Sequence, residues 1–580
     1  MISSSQLTRF TQQLKITLYP ASPSIFLAIS LGVSVLYSSL ALHEAFSREY
    51  VIQDDARQHI FWMQRFLDSE LFSNDLIANY FQSIAPIGYK AFYHVFAFFQ
   101  FDPIFISKIL PTFLGLATTY YCFQVCLEII SVPIAGLISS VLLNQQLWLN
   151  DGLVSATPRA FIYPLFLGFL YYILRKKLVY SGIVIALIGL FYPQYILIIA
   201  GILVLRLFRA ESRKVYINLN QKDCFICITG LAVSFVVILF YAVQTNNYSP
   251  VITVEEAQTW SEFSGAGNSA FFDKNLWQYF IFGQRSGLIP RHLFRPPLLL
   301  LGLFLPLLRV YYCQFKDLKK IRIIDQILLS SLGCFVLSHL FLFKLHLPSR
   351  YTRYSFQISM ALAAGIALCL ILDLFWRWTV NQRDTQRWQQ VTVLGLIGIL
   401  GLTLALGSCF WGKFPKTSYI IGEFPEVYQF FKQQPKDILI ASIAKEVDNI
   451  PSFSQRSIWF GWEYGIPYHL GYYNQIKQRT TDFITAQYHP DLKIMKTLIQ
   501  LHAVDFLMVD KTAFESQYIL KNKWLTQWYY SLGQKIEQNL QAGQVPALVQ
   551  TLNQCSVLET RTLYVLNSSC ILDYSKESIK

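Results

Sequence analysis

Two adjacent carboxylates, Asp54 and Asp55, stand in the segment Gln53-Asp54-Asp55-Ala56-Arg57-Gln58-His59, directly after the first long apolar stretch. A carboxylate within hydrogen-bond reach of a hydroxyl is a general base, and an arginine such as Arg57 presents a fixed fork of donors suited to phosphate. Where a chain leaves a membrane, unpaired charge is expensive and usually has a use. The bland alternative is a solvated acidic loop in which Asp54 caps the helix it opens. Both roles are compatible, because a capping residue is also a rigidly placed one.

A second set of candidates lies far along the chain, in His346-Leu347-Pro348-Ser349-Arg350-Tyr351-Thr352-Arg353-Tyr354. Two cations three residues apart, Arg350 and Arg353, can converge on one anion; anchoring to lipid head groups is the competing reading. Tyr351 and His346 belong to the same candidate substrate-binding group. Arg159, at the mouth of an apolar stretch, contacts phosphate or caps a helix end. Glu255-Glu256 suits an acceptor or a cation, with a solvated pair as the plainer alternative; Arg285, Arg291 and Arg295 suit phosphate or anionic lipid. Trp459, Trp462, Glu463 and Tyr464 form either a sugar-stacking surface or ordinary core.

The elements that must position these residues are membrane spans. The chain has 580 residues, 53% hydrophobic and only 14% charged, whereas globular chains carry roughly 25% charge. Its 46 Phe, 34 Tyr and 12 Trp suit aromatic belts at the bilayer surfaces. Apolar runs of about 16–25 residues recur, the length that crosses a hydrocarbon core. The formal charge of +13 sits in short loops between these runs, so the positive-inside rule explains it better than nucleic acid does.

Ile25–Leu42 reads as an uncleaved first span, with Arg9 and Lys15 before it holding the N-terminus in the cytoplasm. Further spans are expected at Pro103–Ile129, Pro133–Trp148, Pro158–Leu174, Val179–Phe208, Cys224–Val243, Pro297–Tyr312, Ile327–Leu345, Tyr354–Trp376 and Val391–Trp411. Basic loops at Arg175-Lys176-Lys177, Arg206–Lys214, Lys316–Arg322 and Arg377–Arg387 share one side if Val179–Phe208 turns at Phe191-Tyr192-Pro193-Gln194-Tyr195. If Pro86–Phe101 itself crosses, Val179–Phe208 is instead one tilted helix. Ala56–Ser69 reads as an amphipathic helix at the interface.

The expected fold is thus an all-α polytopic membrane domain over 1–411, with about 11 transmembrane helices within a range of 10–13. Outer loops fall at 43–101 and 244–296. A C-terminal soluble α/β domain follows at 412–580, outside the cytoplasm. It reads as a strand at Asp437–Ile443, a helix at Asp491–Ala503, a strand at Val504–Val509 and a helix at Lys523–Leu540. A disulfide between Cys555 and Cys570 is permitted there. Of the ten cysteines the one C-x-x-C pair, Cys224 and Cys227, opens an apolar run and has no second pair to complete a ligand set, so zinc is not indicated.

A long polytopic chain with an acidic pair early in its first outer loop resembles the GT-C class of glycosyltransferases. Asp54-Asp55-Ala56-Arg57 is similar to the Asp-Glu-Ala-Arg motif of the aminoarabinose transferase branch, with Asp in place of Glu at the second position. The resemblance covers the pattern of residues 1–210 and the layout of spans followed by an outer domain. It implies a polyprenyl-phosphate sugar donor, inversion at the sugar, Asp54 as general base and Asp55 as its acidic neighbour. A divalent cation, Mg or Mn, with Asp55 as a ligand, is an open element of that picture. Lys90 corresponds to the family's lysine before Pro-Pro.

Expected partners are the lipid-linked donor, membrane lipid and a glycan, lipid or protein acceptor, with no nucleic acid; the expected place is a bacterial inner or plasma membrane. The rival readings are a lipid or sugar flippase, an O-antigen ligase-like or polymerase-like enzyme using Arg291-His292, and a non-catalytic assembly factor.

Overall fold

The computed structural model describes residues 22–211, 214–217, 220–244, 247–265, 267, 269–311, 320–380, 387–410 and 412–574. Arg9, Lys15, Lys316, residues 212–213 and 381–386 of the expected basic loops, and the span end at Trp411 lie outside them.

Among the described residues five helices are long and apolar enough to cross a membrane: Pro23–Ala45, Pro103–Ile129, Gln221–Val243, Arg322–Leu340 and Ser349–Leu374. Shorter apolar helices run over Pro158–Leu174, Leu178–Phe191, Pro193–Leu207 and Pro297–Val310. The helix from Ser349 lies at the centre of the bundle, packed on Pro133–Trp148 and on Pro297–Phe304. Close approach there depends on small residues, as is usual between apolar helices. A side chain at Gly365 would collide with Ser139 of the neighbouring helix.

The two ends of the bundle differ in charge. At one end Glu128 pairs with Arg175 at 3.4 Å and Lys320 at 2.6 Å, and Asp223 pairs with Lys176 at 3.0 Å and Arg206 at 3.8 Å. Lys176 and Arg206 meeting at one carboxylate shows that Val179–Phe208 is a hairpin. Its two helices, Leu178–Phe191 and Ile196–Leu207, are separated by Pro193–Tyr195. Proline supplies the break because it has no N–H to continue the ladder. The uncertain segment after Pro86 forms a helix over Ile87–Phe98. Twelve residues rise only about 18 Å, too short for a hydrocarbon core. It packs instead against the end of the hairpin, where Gly88 lies against Leu190.

The expected interfacial helix takes a different form. A short α-helix, Asp54–Ile60, passes into a 3-10 turn, Phe61–Phe66. Ile60, Phe61, Trp62 and Met63 are all fully buried. The apolar stripe is covered by protein on every side, so it is a plug between bundle and C-terminal part rather than a surface element.

The C-terminal part carries a five-stranded mixed sheet in the order Ser457–Ile458, Leu439–Ala441, Phe506–Asp510, Leu563–Asn567, Ser556–Glu559. The first three strands run parallel and the last two antiparallel. The crossover helix before Phe506–Asp510 is Leu492–His502, and a broken helix spans Trp524–Gln541. Cys555 and Cys570 form a disulfide. One strand of this part leaves the sheet: Tyr419–Ile421 pairs antiparallel with Val51–Gln53, immediately before the acidic pair.

Candidate active site

Gln53 is the last residue of that two-stranded ribbon, paired with Tyr419, and the Asp54 amide donates to the Ser418 carbonyl at 3.1 Å. The ribbon therefore fixes where the helix begins. Gln53, not Asp54, is the N-cap: its side-chain oxygen accepts from the Ala56 amide at 3.1 Å. That frees the Asp54 carboxylate, which accepts from Arg57 at 2.9 Å, one helical turn on.

Successive helical side chains point about 100° apart, so the two carboxylates face different surroundings. Asp55 forms a hydrogen-bonded ion pair with Arg159. Arg159 reaches Asp151 at 3.5 Å, and Asp151 reaches Arg353 at 3.5 Å. Acid and base thus alternate from Asp55 through Arg159 and Asp151 to Arg353. Burial raises the Asp151 pKa, but Arg159, Arg353 and Arg350 more than offset it, so its carboxyl lies below the usual range. Arg350 lies in the field of Arg159 and Asp55, and among the described residues no ion pair or side-chain hydrogen bond engages its guanidinium. Among the described residues its guanidinium is the one in the cluster left unengaged.

Asp54 faces the C-terminal part. Arg57 is buried, 4% exposed at its side chain, and donates to Asn449 at 2.7 Å while lying 3.4 Å from Glu463. Glu463 also accepts from Gln58 at 3.0 Å. The Asp54 carboxylate is crowded on this side and open on the other, with 44% of its side-chain surface exposed. Burial and the charge of Glu463 raise its pKa to about 6, against the opposing pull of Arg57. Nearby Asp448, 2% exposed, is pushed up further by burial.

Two imidazoles border the arginines in neutral form. Burial takes His59 down to about 4, with Asp55 opposing and Arg159 and Arg350 adding to the shift. Burial and Arg350 with Arg285 take His346 down to about 3.

A comparison with solved structures relates this arrangement to known proteins. The crystal structure of the oligosaccharyltransferase of Archaeoglobus fulgidus, tethered with an acceptor peptide containing the NVT sequon, superposes with a TM-score of 0.53 at 11% identity. The match covers 90% of this chain and 72% of that one. The same archaeal enzyme in complex with an inhibitory peptide and a dolichol-phosphate gives 0.52 at 11% identity, over 87% and 71%. The chain has the fold of these oligosaccharyltransferases. No family profile matches the sequence, and the comparison with curated proteins finds no match.

Within this oligosaccharyltransferase fold the remaining candidates fall into three places. Lys90 lies apart from the cluster: its ammonium donates to the Gln82 carbonyl at 3.4 Å, and burial lowers its pKa. Tyr351 is 2% exposed and donates to the Leu345 carbonyl at 2.7 Å, closing the turn that carries His346 and Arg350. Glu256 completes a capping box with Thr253. Trp459 and Tyr464 are core, and Trp462 packs on Trp524 and Trp528. Glu463, between them, is turned out toward Arg57. Asp151 is the site residue that sequence reasoning did not select; it stood three residues past Trp148, the end of an expected span, which was the available signal, while Glu463, grouped in the sequence with a sugar-stacking or core surface, pairs instead with Arg57.

For a divalent cation the donor set falls short. Among the described residues no three His, Cys, Asp or Glu side chains converge. Asp55, the expected ligand, is engaged by Arg159.

Proposed function

We propose that this protein is a glycosyltransferase that moves a sugar from a polyprenyl-phosphate donor to an acceptor at the membrane surface. The observation that carries the reading is the division of the acidic turn. Asp54 is an open carboxylate with a pKa near neutrality, and one residue away Asp55 leads into an arginine cluster with an unengaged guanidinium at Arg350. The fold supports it, since an archaeal oligosaccharyltransferase of the same fold has been captured with a dolichol-phosphate and with an acceptor peptide.

In this account Asp54 takes the proton of the acceptor as its nucleophilic atom attacks the anomeric carbon. The bond from that carbon to the donor phosphate oxygen breaks, and the phosphate leaves with the electron pair. Arg350 receives the developing charge, helped by its position in the first turn of a long helix, whose N-terminal end is positive. Arg159 and Arg353 hold the cluster through Asp151, and Asp55 orients Arg159. A single displacement inverts the sugar. Base and phosphate site on opposite sides of the reacting carbon is the arrangement that reaction needs.

Counting the long and short apolar helices with Pro133–Trp148 and Arg387–Leu406 gives eleven crossings. In this reading the N-terminus is cytoplasmic, the acidic turn and the C-terminal part lie outside the cytoplasm, and the membrane is a bacterial plasma membrane. The Glu128 and Asp223 ion pairs with Arg175, Lys176, Arg206 and Lys320 then mark the cytoplasmic end.

The test is a membrane assay with labelled polyprenyl-phosphate sugars. Release of polyprenyl phosphate coupled to labelled acceptor supports the reading. Movement of intact donor across a vesicle with no sugar transfer would assign a flippase instead.

A further inference from the structure

Beside the arginine cluster lies a pocket of about 260 Å³ lined by Leu149, Arg291, His292, Arg295, Gly412, Lys413 and Lys416. Three chain segments meet there, each where a helix of the bundle ends. The Lys416 amide donates to the Trp148 carbonyl at 2.7 Å, and Gln146 donates to the Leu293 carbonyl at 2.6 Å. The wall is thus backbone-braced, although the cations themselves are exposed.

The charge in this pocket is one-sided. No carboxylate is among its lining residues, and among the described residues Arg291, Lys413 and Lys416 form no ion pair. Like charges so close repel, and a concave surface concentrates their field. His292 registers it: burial, Arg295, Arg291, Lys416 and Arg353 push its pKa down to about 4. At Glu128, Asp223 and Asp151, cations near the bundle ends are matched by acids. An anion is the missing counterpart here. Its level is set by Pro297–Phe304, which enters the bundle just after Arg295, and by the helix ending at Leu406, just before Lys413. That is the height of lipid head groups.

We propose that this pocket binds the head group of a membrane lipid carrying a doubly charged phosphate, at a site separate from the Arg350 cluster. Asp151, shared by Arg159 and Arg353, gives that cluster an acid that the pocket lining lacks. Several cations with no acid favour a phosphomonoester over a singly charged diester. The assignment does not depend on the glycosyl-transfer reading.

The experiment uses the full chain in nanodiscs of zwitterionic lipid doped with either phosphatidic acid or phosphatidylglycerol, with retained lipid read by native mass spectrometry. The variants are Arg291→Ser/Lys413→Ser/Lys416→Ser and a charge-matched control, Lys493→Ser/Lys521→Ser/Lys535→Ser, whose lysines are exposed on the C-terminal part. Melting curves confirm that each is folded. Retention of phosphatidic acid above phosphatidylglycerol, lost about tenfold or more in the pocket variant and kept in the control, is expected. Equal retention of both lipids, or equal loss in both variants, would reduce the effect to surface charge and overturn the proposal. A third arm adds inorganic pyrophosphate in undoped discs. Pocket-dependent pyrophosphate binding without phosphatidic acid retention assigns a soluble anion and also overturns the lipid assignment.

Discussion

Arg57 and Asn449, 392 positions apart in the chain, share a buried 2.7 Å hydrogen bond. It joins the helix carrying the acidic pair to a turn of the C-terminal part, so the conformation of Asp54 depends on both. Arg57→Ala should leave Asn449 and Glu463 without their cation, and removing one partner of a buried pair costs about 3–5 kcal/mol. A lowered melting temperature in detergent, with transfer lost even where the protein stays folded, is the expected result. Arg57→Lys should recover part of the stability but less of the activity, because an ammonium cannot serve Asn449, Asp54 and Glu463 in one plane.

Arg350 and Arg353 should separate in the same assay. Among the described residues Arg350 has no ion-pair or side-chain hydrogen-bond partner to lose, so Arg350→Ala should fold normally and weaken donor turnover by about 10–100-fold, the worth of a charge-assisted hydrogen bond. Arg353→Ala breaks the pair with Asp151 and should disturb stability as well. Donor-dependent kinetics with melting curves on both variants check this. Equal kinetic loss in the two would argue that the cluster acts as one unit.

The alternation at the site was only partly legible in the sequence. For Val179–Phe208 the hairpin was one of two readings, suggested by Phe191-Tyr192-Pro193-Gln194-Tyr195 and the basic residues at both ends, which are local signals, with a single tilted helix as the other. The acidic pair and Arg350 stood out because charge near a span is rare. The role of Glu463 did not: grouped with Trp459, Trp462 and Tyr464, it instead pairs with Gln58 across 405 positions, and Trp459 and Tyr464 are plain core. The Gln53 cap was also hidden, since propensity favours aspartate at that position. Here the i,i+3 pull of Arg57 and the ribbon with Tyr419–Ile421 move the cap back by one residue. The burial of Phe61–Met63 was invisible too, because Leu76–Ile84, Ile87–Phe98, Pro103–Ile129 and Ile450–Phe453 close over that turn only in the fold.

The Asp54 pKa gives a pH signature. A base with a pKa of about 6 is ionised above that value and protonated below it. Transfer under donor-limiting conditions should fall about tenfold per pH unit below 6 and level off above it. Glu463→Gln removes a negative neighbour that raises this pKa, so the inflection should move to lower pH. An unmoved inflection would assign it to another group.

The Cys555–Cys570 disulfide closes a loop of sequence separation 15. Replacing both residues by serine should cost about 3 kcal/mol of the C-terminal part's stability, read as a lower melting temperature. Transfer at low temperature should persist, since neither cysteine touches the acidic turn.

The central claim rests on Asp54 as the base. Asp54→Asn is nearly isosteric and keeps an acceptor toward Arg57, so membrane insertion and melting should match the parent. The measurement is single-turnover transfer from a labelled polyprenyl-phosphate sugar. The account predicts a loss of about 10²–10⁴-fold with donor binding retained. Transfer by Asp54→Asn at the parental rate would contradict it.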